Sequence, residues 1–244
     1  MYEPDVEKYF EKLVKEEYAG EKGTTPYCLA LPKDAEKRNL PIVLFMHGAG
    51  ERGCDNDIQL RTAIVTYLES APNVREAIWI IPQCPVDEQW VATPWTKVCY
   101  SVDEVPETWE ISNVLKILDG VAEKYGADRD RIYVMGISMG GYATWDLIVR
   151  HGELFAAAMP ICGGADPSKA ELVKDIPIRT FHGDIDEAVP VEGTRRMVEA
   201  VKAAGGTKLE YTEYPGLGHF VWDEAVSTEG IGEWMFSQRL SDRK

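Results

Sequence analysis

Positive charge is scarce in these 244 residues: 26 Lys and Arg stand against 41 Asp and Glu, a formal charge of −15. That balance lacks the basic face a phosphate backbone requires, which argues against nucleic acid and against anionic membrane surfaces as partners. Long apolar runs are missing as well. No stretch approaches the ~18 apolar residues of a membrane span, and the acidic start Met1-Tyr2-Glu3-Pro4-Asp5 carries no apolar leader core. The expected location is therefore cytoplasmic, although a secreted chain trimmed of its leader would read the same. Cysteine is sparse, odd in number and without a CxxC pair (Cys28, Cys54, Cys84, Cys99, Cys162). Free thiols are expected, with Cys84 and Cys99 the one pair worth testing for a bridge. No repeat and no low-complexity linker interrupts the chain. With 45% hydrophobic and 27% charged residues, disorder is excluded and one domain over 1–244 is expected.

Short apolar runs alternate with longer stretches of helical period, the pattern of a mostly parallel sheet covered by helices. Strands are expected at Tyr27–Leu31, Pro41–Met46, Ala77–Pro82, Arg131–Gly136, Ala156–Ile161, Pro177–His182 and Lys208–Tyr214. Helices are expected near Ile58–Leu68, Thr108–Tyr125, Met139–Arg150 and Val191–Ala204. Two segments break the alternation. Residues 1–25 read as an N-terminal extension, helical around Val6–Lys15 and then polar and glycine-rich. Residues 85–107 form a long connection carrying Trp90, Trp95 and Tyr100. A connection of that length in a compact domain is usually functional, which makes it the expected active-site loop.

Only four histidines are present, and three of them, His47, His182 and His219, sit beside glycines in short segments that look built for chemistry. The strand ending at Gly136 runs into Gly136-Ile-Ser138-Met-Gly140, G-x-S-x-G, and then into a helix pattern. This is the context a nucleophile elbow needs: a serine on a sharp turn, with glycines where neighbouring backbone comes too close for a Cβ. A serine hydroxyl becomes nucleophilic when an imidazole accepts its proton. Of the later histidines, His151 ends the nucleophile helix and reads as a terminal cation. His182 reads as a shaper of its own loop. His219, in Gly216-Leu-Gly-His219, is the expected base. The acid is sought in the 182–190 loop, where Asp186 is favoured over Asp184 and Glu187. The amide of Met139 supplies one oxyanion donor. The turn in His47-Gly48-Ala49-Gly50 supplies the other, from Ala49, with Gly48 and Gly50 leaving room for substrate and His47 bracing the turn. Glu51 and Arg52 are expected to pair with each other or with Asp55 or Asp57.

The segments Leu44–Gly53, Pro82–Pro85, Gly136–Trp145, Pro160–Gly164, His182–Pro190 and Gly216–His219 together resemble a family. It is the bacterial carboxylesterase/phospholipase, or "predicted peptidase", group of α/β-hydrolases, related to dienelactone hydrolases, polyhydroxybutyrate depolymerases and feruloyl esterases. The resemblance spans about residues 40 to 222. It implies an α/β-hydrolase fold without a large cap domain and a triad of Ser138, Asp186 and His219, the H-G-x-x-D-x-x-V-P pattern placing the acid on Asp186. The implied reaction is hydrolysis of small, aryl or sugar-linked esters, feruloyl- or acetyl-esterase-like. Trp90 and Trp222 are the aromatics expected to line the substrate pocket, whereas Trp145 on the nucleophile helix is expected in the core. No cofactor is expected: there is no H-E-x-x-H, and the histidines are assigned. The same triad serves a peptidase or amidase, and a catalytically silent hydrolase-fold binding protein stands third. A homo-oligomer is left open.

Overall fold

A computed structural model describes residues 6–243, apart from the side chain of Lys37. Eight strands form one sheet: β1 (Lys12–Ala19), β2 (Thr24–Leu31), β3 (Ile42–Met46), β4 (Ile78–Pro82), β5 (Ile132–Ile137), β6 (Ala157–Ile161), β7 (Ile178–Gly183) and β8 (Leu209–Tyr214). Their spatial order is β1-β2-β4-β3-β5-β6-β7-β8. β1 and β2 pair antiparallel, β2 joins β4 antiparallel, and every pair from β4 onward is parallel. Helices α1 (Ala63–Ser70), α2 (Trp109–Tyr125), α3 (Met139–His151), α4 (Ala170–Val173), α5 (Val191–Ala203), α6 (Trp222–Val226) and α7 (Ile231–Ser237) flank the sheet.

The continuous apolar runs are central strands buried on both faces. In β3, Ile42, Leu44 and Met46 enter one core with Ile80, Val134, Leu118 and Trp145, while Val43 and Phe45 enter a second core with Trp79, Met135 and Ile64. Trp145 is fully buried, as its position on the nucleophile helix suggested. The boundaries of α2 follow local chemistry: the Thr108 hydroxyl accepts from the Ile111 amide at 3.3 Å, and Gly126 ends the helix at φ 56°.

The N-terminal expectation is corrected. Val6, Phe10, Leu13 and Val14 repeat at helical spacing, yet the chain makes a 3-10 turn at Val6–Tyr9 and then the edge strand β1. The hairpin partner decides this. β1 pairs with β2 from Lys12↔Leu31 to Ala19↔Thr24, closed by a Gly20 amide to Gly23 carbonyl bond of 3.0 Å. The charges of Lys15-Glu16-Glu17 suit an exposed sheet edge. Residues 1–5 of that expected extension lie outside the described residues. All five cysteines are free, so Cys84 and Cys99 do not pair. Among the described residues no helix is long and apolar enough to cross a membrane.

Candidate active site

Ser138 sits between β5 and α3 at φ 55° and ψ −118°, a conformation that costs an L-residue on the order of 1–3 kcal/mol. Packing enforces it. A Cβ on Gly136 would lie 2.3 Å from the Gly140 carbonyl oxygen, and one on Gly140 would lie 1.9 Å from that of Met46. The motif glycines are therefore required by the approach of β3 and α3 to the turn. The Ser138 amide donates to the Ile161 carbonyl at 2.9 Å, tying the elbow to β6.

His219 Nε2 lies 2.8 Å from Ser138 Oγ, and its Nδ1 lies 2.6 Å from Asp186 Oδ2. Asp186 Oδ1 accepts from the amides of Ala188 and Val189, each at 2.8 Å. Burial pushes the Asp186 carboxyl upward, but hydrogen bonds from His182, His219 and the Val189 amide outweigh that and hold it well below the usual carboxylate range. Asp184 is occupied elsewhere, accepting from the Gly216 amide at 2.7 Å, and Glu187 is exposed.

His182, with no exposed side-chain surface, meets the same Asp186 oxygen through Nε2 at 3.1 Å. Its Nε2 also faces the Val189 carbonyl at 3.1 Å, and its Nδ1 meets the Thr194 hydroxyl at 2.8 Å. Cys162, His182 and Asp186 bring a thiol, a ring nitrogen and a carboxylate within 4.8 Å of one another. Each of those atoms is already engaged. The Cys162 thiol donates to the His219 carbonyl at 3.4 Å, and burial pushes it well above its ordinary pKa, away from the thiolate a metal would need.

Across the site, Ala49 opens the 3-10 turn Ala49–Glu51 and Met139 opens α3, so both amides belong to helix starts whose first N–H groups have no partner in the turn. A Cβ on Gly48 would stand 3.5 Å from Ser138 Cβ and 3.0 Å from a Glu51 carboxylate oxygen, while one on Gly50 would meet nothing within 4 Å. Burial pushes the Glu51 carboxyl up despite hydrogen bonds from the Gly48 and Glu51 amides. His47 Nε2 accepts from the Cys84 amide at 2.9 Å, and its Nδ1 donates to the Gly48 carbonyl at 2.6 Å. Full burial lowers its pKa to about 4 and keeps it neutral.

Two expectations need correction here. Trp90 is completely buried; its indole donates to the His47 carbonyl at 3.1 Å and its ring packs edge-on at 5.2 Å from the His47 ring. It exposes no surface to a substrate and braces the turn from behind. Arg52 pairs with none of the acids named above. It donates to the carbonyls of Ala49 (2.9 Å) and Glu88 (3.2 Å) and lies over the Trp95 ring at 5.6 Å. His151 meets Glu107 at 2.5 Å, linking α3 to the 85–107 segment. Trp222 is half-buried, edge-on to His219 at 5.6 Å. Sequence reading missed Phe220, next to the expected base and 79% exposed. An apolar residue directly after a histidine in a glycine-rich loop was the available signal.

The model of the Phospholipase/Carboxylesterase family matches residues 32–228. Among curated relatives, Carboxylesterase SOBER1 of Arabidopsis thaliana is 27% identical over 199 residues, covering 74% of this chain and 83% of that protein. A solved thermostable esterase shares 35% identity at a TM-score of 0.83, covering 95% of this chain; the chain spans 64% of that esterase's length. A feruloyl esterase module from Clostridium thermocellum shares the fold at a TM-score of 0.63 and 18% identity, covering 96% of this chain and 93% of the module. With most of its length inside that family model, the chain belongs to the phospholipase/carboxylesterase family of α/β-hydrolases and is a carboxylic ester hydrolase.

Proposed function

We propose that the protein is a serine esterase working through an acyl-enzyme, with Ser138 as nucleophile, His219 as base and Asp186 as the carboxylate that orients His219. The observation that carries the reading is the unbroken hydrogen-bonded chain from Ser138 Oγ through both nitrogens of His219 to Asp186, at 2.8 and 2.6 Å. Ser138 Oγ attacks the ester carbonyl carbon as its proton passes to His219 Nε2. The amides of Ala49 and Met139 receive the oxyanion, and the strained elbow holds Ser138 in place beforehand. Collapse breaks the bond to the alcohol oxygen, which takes the proton back from His219. Water, deprotonated by the same nitrogen, then releases the acid. Asp186 keeps the hydrogen of His219 on Nδ1, so that Nε2 is free to accept.

Small, aryl or sugar-linked esters are the proposed substrates. Gly50 leaves the oxyanion turn open, the absence of a Cβ at Gly48 makes room for Ser138 and Glu51, and Trp222 offers an aromatic edge beside the base. The 85–107 segment serves the site from behind, holding the turn through Trp90 and Arg52. The test is labelling with a fluorophosphonate, together with turnover of p-nitrophenyl acetate. Label on the intact protein, its loss in Ser138→Ala, and a fall in kcat of about 10⁴-fold or more in His219→Ala are expected. An intact protein that takes no label sinks the proposal. Ester and amide substrates sharing one acyl group, assayed side by side, separate an esterase from a peptidase.

A further inference from the structure

We propose that Phe220, backed by Trp222, binds the alcohol portion of the ester, so that the enzyme selects flat apolar leaving groups such as aryl alcohols. The inference rests on the triad reading above and adds the side of the substrate that each wall meets.

Among the described residues, the exposed large apolar side chains are Ile58, Val86, Leu172, Ile185, Leu217 and Phe220. The last three lie on the two loops that carry Asp186 and His219. Those loops are stapled together: the Ile185 amide donates to the Leu217 carbonyl at 3.2 Å, and a Cβ on Gly183 would lie 2.3 Å from that carbonyl oxygen. Phe220 is the most exposed of all at 79%. Its ring stands 5.7 Å from the His219 ring and 4.9 Å from Trp222, which itself meets His219 at 5.6 Å and 89°. The base is thus flanked by two aromatic rings, and one of them is open to solvent. A surface phenylalanine alone needs no explanation; one placed against the base, on stapled loops that expose two further apolar side chains, does.

Proton transfer fixes which part of the substrate meets it. His219 Nε2, 2.8 Å from Ser138 Oγ, is the atom that returns the proton to the departing oxygen. That oxygen must come within hydrogen-bonding reach of Nε2, and the group it carries extends from there past the His219 ring and its flanks. The carbonyl oxygen is held on the other side of Ser138, by the amides at 49 and 139. Phe220 offers no donor or acceptor, so what it rewards is a flat apolar face stacked or set edge-on against it.

Phe220→Ala tests this with acetate esters that differ only in the alcohol. Each ratio of mutant to parent kcat/KM cancels the intrinsic reactivity of the ester. A loss of about fivefold, carried in KM, is expected for phenyl and naphthyl acetates, against less than twofold for methyl and ethyl acetates. Phe220→Trp should restore the aryl preference. Because the acetyl-enzyme is the same whichever alcohol has left, its deacylation rate should not change. An equal loss on methyl and aryl acetates would overturn the proposal, as would a loss that follows acyl length and ignores the alcohol. So would a change of sedimentation mass in Phe220→Ala with uniform loss, which assigns the patch to self-association. Undiminished activity in Ser138→Ala is a separate outcome, which removes the triad reading and the proposal with it.

Discussion

His47 and His182 stand at matching places in the sheet, one just after β3 and the other the second-last residue of β7, each followed by glycine and each without exposed side-chain surface. Their hydrogen bonds end in different company. His47 takes the Cys84 amide on one nitrogen and gives its hydrogen to the Gly48 carbonyl from the other, so both contacts are with backbone. They fix the course of a turn and leave the ring neutral. His182 spends Nε2 on the carboxylate oxygen that His219 Nδ1 also meets. The same residue type, equally buried, thus holds a loop in one place and helps hold a charge in the other. What decides is distance: the Glu51 carboxylate stands 4.0 Å from His47 Nδ1, outside hydrogen-bonding reach, whereas Asp186 comes to 3.1 Å from His182 Nε2.

The contrast breaks most easily at the charge. Asp186→Asn should keep the fold and lower kcat by about 10⁴-fold, because the amide can present its NH₂ to His219 and favour the wrong tautomer. Steady-state kinetics beside circular dichroism checks it, and near-normal turnover would remove Asp186 from the chemistry.

The next effect is on stability. An unfolded imidazole takes a proton near pH 6.5, whereas burial keeps folded His47 from doing so until about pH 4. Between those values the unfolded chain binds the extra proton, so this contribution to stability falls as the pH drops through the window, by roughly 3 kcal/mol in all. Asp186 acts in the same direction only below its unfolded value of 3.8, so the two contributions separate along the pH axis. Burial pushes the Glu110 carboxyl up to about 7, which adds stability over the same window in parent and variant alike. The His47 contribution is therefore read as a difference: the gap in urea stability between parent and His47→Phe should shrink from pH 7 to pH 4. The variant starts lower by about 1–3 kcal/mol because the Cys84 amide loses its acceptor.

The smallest effect sharpens the comparison most. His182→Gln should lower kcat by about tenfold, the worth of one hydrogen bond to a charged group, with KM little changed. Were its effect confined to the urea midpoint, His182 would be a loop brace of the same kind as His47.

The central strands were legible in the sequence because burial on both faces demands continuous apolar runs; six of the seven expected strands are of that kind, and the seventh, half-exposed β8, closes the far edge of the sheet. β1 was not legible. An edge strand is held by its hairpin partner and carries charge, and four apolar residues at helical spacing gave the opposite signal. The elbow could be read because its glycines answer a steric demand local to strand, turn and helix. The neighbourhoods of single side chains could not. Trp90 is as aromatic as Trp222, yet one lies wholly behind His47 and the other stands edge-on to His219. Arg52 finds two carbonyls and an indole where nearby acids had suggested ion pairs.

Sequence alone determined seven of the eight strands, the elbow and the three residue types proposed as the triad, because periodicity and steric motifs are written along the chain. Tertiary structure decided that Asp186 meets two imidazoles, that Trp90 faces inward and that Phe220 stands open beside His219. Those facts depend on which loops meet at the carboxyl ends of β3, β5 and β7, and residues 47, 138, 182 and 219 meet there only once the sheet has formed.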